Sequence, residues 1–199
     1  ETEPFGTQYD DETFRKDRQD QDIARLRSIP GAISAMAISE RPLSGGGSGG
    51  ARRPVGTENS VGTPFFEVTE SALATIGTEL IAGRDFIASD FDLSENDEGY
   101  IPSRNIIVSK AMAERLFPDG DALGGRITDT EGRLEDTIVG IVDPLQNFWL
   151  SSDVGETTVL IPGRPGSRIQ MLYLVRTEAG ARPAVASGLG EILLSAQSD

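Results

Sequence analysis

Apolar residues in this chain come only in short runs. The most strand-like stretch, Asp136 to Val142 (DTIVGIV), ends at Asp143-Pro144, and the β-branched run Ile106-Ile107-Val108 lies between Asn105 and Ser109. Short β-branched runs bounded by turn residues suit strands that are buried in a sheet. None approaches the about 18 to 20 apolar residues of a membrane-spanning helix. The fold must therefore be assembled from many short elements joined by turns.

The near-helical spacing of Phe14, Ile23 and Leu26, with charged residues between them, predicts a helix from about Glu12 to Ser28, stopped by Pro30-Gly31. Alternation from Ala32 to Ser39 predicts a strand. Residues 44–53 open with SGGGSGG and are expected to form a flexible loop. Arg52 and Arg53 follow it, but a phosphate cradle needs a helix start with Lys-Ser/Thr, and here Arg-Arg-Pro stands instead. Thr63–Val68 reads as a strand. Glu70–Ile76 reads as a short helix that Gly77 ends in the left-handed conformation, and Glu79–Ala82 is a short apolar segment broken by Gly83. A polar loop follows from Ser89 to Ser103.

After the Asn105–Val108 strand, Ser109 is placed to cap a helix over Lys110–Phe117, with Met112, Ala113 and Leu116 inward and Pro118-Asp119-Gly120 closing it. A turn through Gly124-Gly125 leads to Arg126–Thr128 and a hairpin around Glu131-Gly132. Val159–Ile161 and Met171–Arg176 are further strands. Ala181–Gln197 is a final amphipathic helix with Val185, Leu189, Ile192 and Leu193 on one face. Few helices, many turns and mixed spacing give an α+β class with mixed sheets and a few amphipathic helices.

Composition narrows the chemistry. The chain has no His and no Cys, which excludes Ser–His–Asp hydrolysis, thiolate catalysis and Cys- or His-ligated metal sites. A formal net charge of −14 repels phosphate backbones and argues against nucleic acid as a partner. Carboxylates occur in pairs (Asp10-Asp11, Asp20 with Asp22, Asp90 with Asp92, Asp119 with Asp121), but beside Gly, Ser or Asn they read as solvated, so no catalytic residue is assigned. Ser109 and Lys110 are adjacent and diverge, which disfavours a Ser–Lys dyad. The loop from Asp90 sets oxygens at alternate positions, making Asp90, Asp92 and Asn96 a candidate calcium set. It departs from the EF-hand pattern at Glu95, where Gly is required, and at Ile101, where a bidentate Glu is required. No cofactor is expected. The chain starts at Glu1 without a leader, as expected of a processed protein or of a piece of a larger one.

Three ordered segments carry a resemblance. The first runs from Phe65 to Phe86 and contains Ile76-Gly77 and Gly83-Arg84-Asp85-Phe86, with Asp90 following. The second, Asn105 to Ile127, contains Leu116-Phe117-Pro118, Asp121, Leu123-Gly124 and Arg126-Ile127. The third is Thr137–Asp143, and Ile29-Pro30-Gly31 fits near the start. In order and spacing they resemble the periplasmic core domain of MacB-like, FtsX-like ABC transporter permeases. The chain departs from that pattern at Thr69–Leu73 and at Asp143-Pro144-Leu145, and it shows no apolar hook of the lipoprotein-extracting kind.

The resemblance implies an extracytoplasmic domain of an inner-membrane protein with two lobes. One is a discontinuous porter-like lobe from residues 1–63 and 131–199, the other an inserted lobe from 64–130. It implies a non-catalytic role that transmits ATP-driven motion for export or signalling. The partners it implies are an ABC-type ATPase subunit or domain reached through transmembrane parts, and a periplasmic adaptor or second permease copy. Gly77, Gly83, Arg84, Phe86, Leu116, Phe117, Pro118 and Gly124 would be structural motif residues. The alternative is a secreted or periplasmic binding protein assisted by calcium at the Asp90 loop.

Overall fold

In the computed structural model, residues 11–44, 47–93, 101, 103–145, 156–165 and 171–195 are described, with side chains through residue 189. Asp11 caps helix α1 (Glu12–Arg27), its Oδ1 accepting from the Thr13 and Phe14 amides at 2.8 and 3.2 Å. The buried side of α1 carries Gln19, Asp22, Ile23 and Leu26. Strand β1 (Ala32–Ala37) follows the Pro30-Gly31 stop and pairs antiparallel with β9 (Tyr173–Thr177), forming a two-stranded sheet. Helix α4 (Arg182–Ser195) returns onto the same sheet. Ile23, Leu26 and Ile29 pack there with Ala35, Ala37 and Val185, and Leu189 lies against them. The predicted inward positions Ile192 and Leu193 fall outside the described side chains.

The remaining strands are β2 (Gly49–Pro54), β3 (Val61–Val68), β4 (Glu79–Gly83), β5 (Asn105–Ser109), β6 (Arg126–Thr128), β7 (Asp136–Asp143) and β8 (Val159–Pro162). Their order is β4-β7-β5-β8-β3-β2-β6, and β6 also pairs with β7. The ladders therefore close a circuit β7-β5-β8-β3-β2-β6-β7, with β4 attached outside it to β7. Pairing is mixed: β3–β8 and β5–β7 are parallel, the rest antiparallel. Helix α2 (Ala72–Ile76) ends at Gly77 with φ +80°, as its position predicts. Helix α3 (Lys110–Leu116) is capped by the Ser109 hydroxyl, which accepts from the Met112 amide at 3.2 Å. Among the described residues no helix is long and apolar enough to cross a membrane.

Two cores divide the closed sheet. Met112, Ala113 and Leu116 of α3 pack with Ile106, Val108, Ile127, Ile138, Val159 and Ile161. The opposite faces, through Phe66, Val68, Ile107, Val142 and Leu160, pack with Met36 and Ile38 and with Leu73 of α2. Met36 belongs to the two-stranded sheet, so this second core spans both sheets. The joint is also hydrogen-bonded. Ile38 bridges Val68, the Thr69 amide donates to Ala37 O at 3.1 Å, and the Ala37 amide donates to Thr69 Oγ1 at 2.9 Å.

Two expectations need correction. The loop expected over 44–53 ends at Ser48, because Gly49–Pro54 is strand β2, held between β3 and β6. A ring edge of Phe65 lies where a Gly50 side chain would stand, 3.2 Å from its Cβ position, so the missing side chain lets the strands approach. The boundary expected at 63/64 falls inside β3, and β2, β7 and β8 are hydrogen-bonded to the strands of 64–130. Segment 64–130 forms no sheet of its own. The unit built from both parts of the chain is α1, β1, β9 and α4.

Candidate functional site

Asp90, the first residue of the calcium candidate set, is held by protein groups. Asp90 is 3% exposed. Arg84 grips its carboxylate with both terminal nitrogens at 2.6 and 3.0 Å, the Ile87 amide donates at 2.8 Å, and Asn105 Nδ2 donates at 2.7 Å. Burial alone raises its pKa, but these hydrogen bonds outweigh burial and hold the carboxyl below its ordinary value. Both oxygens are occupied, so Asp90 does not offer the open carboxylate that calcium needs. Asp92 is exposed, and Asn96 lies outside the described residues. Among the described residues no group of three or more His, Cys, Asp or Glu is placed to hold a metal.

Of the motif residues, Gly83, Arg84 and Gly124 lie along one edge of β7. At its start β6 pairs, Arg126 opposite Thr137 and Ile127 opposite Asp136. Next, the Gly124 amide donates to Ile138 O at 2.7 Å and the Ile138 amide to Gly125 O at 3.0 Å. Then the Arg84 amide donates to Val139 O at 2.9 Å, and β4 pairs with the remainder from Gly140 to Asp143. Segments about 40 positions apart in sequence are thus laid end to end along one strand. Gly83 has φ +79°; a Cβ there would collide with Val139 O and stand 2.5 Å from Leu123 Cδ1. Leu116 is buried in the α3 core. Phe117 packs beside it and over Gly125, and its φ −129° and ψ 70° suit a residue before the helix-ending Pro118. Phe86 packs edge-on against Phe91 and on the core shared with β1, and Gly77 lies under the Arg176 guanidinium.

Sequence reasoning missed the arginine contacts. Arg104 holds the buried Asp136 through two 3.0 Å hydrogen bonds, and Arg52 lies 3.9 Å from the same carboxylate with its guanidinium 4.4 Å from the Phe65 ring centre. Burial lowers the Arg52 pKa against the attraction of Asp136. Arg164 clasps Glu70 through two 2.6 Å bonds, approaches Asp20 of α1 at 3.8 Å and lies 5.4 Å from the Phe91 ring. Arg27 of α1 donates to Ala35 O at 2.8 Å and to Ser71 Oγ at 3.0 Å. Arg27 and Arg164 thus bind α1 to the start of α2. A cavity of about 80 Å³ lies beside this contact, bordered by Arg15, Gln19, Arg164 and Met171.

Among the described residues the buried carboxylates are all partnered. Besides Asp90 and Asp136, Asp22 meets Arg18 and the Tyr173 hydroxyl, and Asp129 accepts from the Arg133 amide. Burial pushes the Glu67 carboxyl above its ordinary value, opposed by the Arg164 amide and by Arg104. It is the one carboxyl among the described residues shifted upward, and no second acid is bonded to it. The arrangement builds joints and struts.

The family described as MacB-like periplasmic core domain matches residues 4–192. The periplasmic region of MacB from Actinobacillus actinomycetemcomitans shares the fold with TM-score 0.59 and 17% identity, over 89% of this chain and 73% of that one. The extracellular domain of the noncanonic ABC-type transporter YknZ from Gram-positive bacteria superposes with TM-score 0.53 and 16% identity, over 87% and 82%. A domain of a putative permease protein from Porphyromonas gingivalis gives TM-score 0.55 and 22% identity, over 88% and 73%. No curated protein matches.

Proposed function

Since the chain belongs to the family of MacB-like periplasmic core domains, we propose that it works outside the cytoplasm as the non-catalytic coupling element of an ABC transporter permease. An ABC-type ATPase subunit or domain would hydrolyse ATP, transmembrane helices would move, and this domain would carry that motion outward for export or signalling. A periplasmic adaptor or a second permease copy would receive it. The porter-like lobe in this reading is the α1, β1, β9 and α4 layer, and the closed sheet is the inserted lobe.

One observation carries the reading. Helices α1 and α4 pack on one two-stranded sheet, and that sheet shares its core and its hydrogen bonds with the closed sheet at β1 and β3. A displacement applied to α1 and α4 then passes to the closed sheet without an intervening flexible segment. Spin labels test this in the full-length permease with its ATPase in lipid vesicles, one at Asp17 on α1 and one at Glu114 on α3, both exposed. The Asp17–Glu114 distance is expected to stay fixed between the ATP-bound and nucleotide-free states, while the Glu114 distance to labelled lipid headgroups changes. A fixed headgroup distance throughout the cycle overturns the proposal.

A further inference from the structure

We propose that the outer edge of β4 is a docking site for an extended, basic segment of a protein partner, added as a further strand beside Glu79–Gly83. The inference goes beyond the coupling role and does not depend on how motion reaches the domain.

Strand β4 ends the sheet order and is paired on one side alone, with β7. Among the described residues no strand covers its other edge. Edge strands of stable proteins are commonly guarded by Lys or Pro, which hinder the addition of a further strand. The sequence of β4, ELIAG, has neither, and its guard is a register shift between Leu80 and Ala82. Its side chains are also receptive. Ile81 is 48% exposed, and Leu123, 46% exposed, stands against Gly83 of the same strand. Ile87, 52% exposed, follows the Arg84 amide that continues the β7 pairing.

Charge selects the occupant. Glu79 of β4 lies directly opposite Asp143 of β7, and both are exposed. Like charges facing across a ladder are mutually destabilising. Asp85, just past the strand, is exposed as well. Among the described residues none of the three carboxylates has an arginine or lysine within ion-pair distance. A strand bearing Lys or Arg at alternate positions would pair with the free backbone, cover Ile81 and neutralise these carboxylates. A second copy of this chain would instead set acids against acids, at a net charge of −14 each.

Two hexapeptides serve as probes for the 199-residue chain: one alternating lysine with valine, the other glutamate with valine. A third keeps the lysines but is N-methylated at alternate amides, so it retains charge and loses strand pairing. Amide shifts in a nitrogen-15 labelled sample locate binding, and titration gives the affinity. The lysine peptide is expected to shift Glu79–Gly83 and Leu123. The glutamate and methylated peptides are expected to bind at least about tenfold more weakly. Ile81→Lys and Glu79→Lys, both at exposed positions that leave the core intact, should each weaken the lysine peptide, whereas Glu114→Lys on α3 should not. Equal binding of the methylated peptide overturns the proposal, because charge alone then accounts for the affinity. So do shifts centred away from β4, an Ile81→Lys variant that binds as the parent does, and dimerisation of the chain through β4.

Discussion

Gly83 and Gly124 both have φ +79°, and both stand in segments that resemble family motifs, yet their surroundings differ. Around Gly83 a Cβ meets Val139 O, a backbone atom fixed within β7, and Leu123 Cδ1 at 2.5 Å. Around Gly124 nothing lies within 4 Å of the same position. An L-residue in the left-handed region costs about 1–2 kcal/mol, and this applies to both sites. Overpacking adds about 1–3 kcal/mol, and this applies to Gly83 alone. Gly83→Ala is therefore expected to lose about 2–5 kcal/mol and Gly124→Ala about 1–2 kcal/mol. At a urea slope of about 2 kcal/mol/M, the midpoints fall by about 1–2.5 M and about 0.5–1 M respectively. Urea unfolding followed by far-UV circular dichroism reads both. Equal midpoints for the two variants would refute the reasoning, because the collision with the β7 backbone would then have no energetic weight.

Three other outcomes follow from the contacts. Asp90→Ala strands the Arg84 and Asn105 donors and the Ile87 amide, so at pH 7 it should lose about 2–3 kcal/mol in chemical denaturation, less than a fully buried pair because Arg84 is 39% exposed. The folded pKa of Asp90 is depressed, so its contribution is complete above the unfolded carboxylate value of about 3.9 and is lost as pH falls through the folded value. The gap between parent and Asp90→Ala should narrow below about pH 4, and a gap that persists unchanged at pH 2 contradicts this assignment. Millimolar calcium should leave the thermal midpoint unchanged, since both Asp90 oxygens are taken; a rise that saturates with calcium would show a site the Asp90 contacts do not foresee. Arg164→Ala, at a pair with side chains 22% and 42% exposed, should lose only about 1 kcal/mol, and Arg164→Lys should not recover it because lysine cannot clasp Glu70 with two parallel bonds.

Local signals in the sequence were sufficient for most elements. The Ser109 cap, the Gly77 stop, the inward Met112 and Leu116, and the β-branched β5 and β7 depend on side chains within one element, and each stands where the spacing predicts. Strand β2 was not legible, because Gly49 and Gly50 have poor strand propensity and are made into a strand by β3 and β6, which are elsewhere in the sequence. The closed circuit was hidden for the same reason: the β6–β7 hairpin is local, whereas β2–β6 and β3–β8 are not. Alternate oxygens at Asp90 and Asp92 read as a calcium loop until Arg84, six residues earlier, proves to hold Asp90. Asp136 gave no sign of its partner Arg104, 32 positions away. Lobe boundaries failed where they were taken from sequence order, since β2, β7 and β8 carry the hydrogen bonding of the closed sheet across them.

The ends of the first two motif segments, at Gly83-Arg84 and at Gly124–Ile127, share one physical purpose along the third, β7. β7 needs partners along its whole outer edge, and no single segment supplies them; β6, Gly124-Gly125, Arg84 and β4 do so in turn. Each contributor is anchored separately: Arg84 by Asp90, Gly125 by the Phe117 ring, and β6 by β2. Loosening one leaves an unpaired stretch of β7, whose alternate residues are buried, and an unpaired backbone group is costly away from water. The closed sheet therefore behaves as a unit. The same logic holds at β1, where Met36 and Ile38 enter the core of Phe66 and Val68 while Ala37 and Thr69 exchange two hydrogen bonds. Sliding β1 past β3 would break those bonds and open that core together, so the joint favours moving both sheets as one body over shearing them. That is the mechanical property a coupling element requires, and it arises from packing and backbone hydrogen bonds rather than from a reactive group.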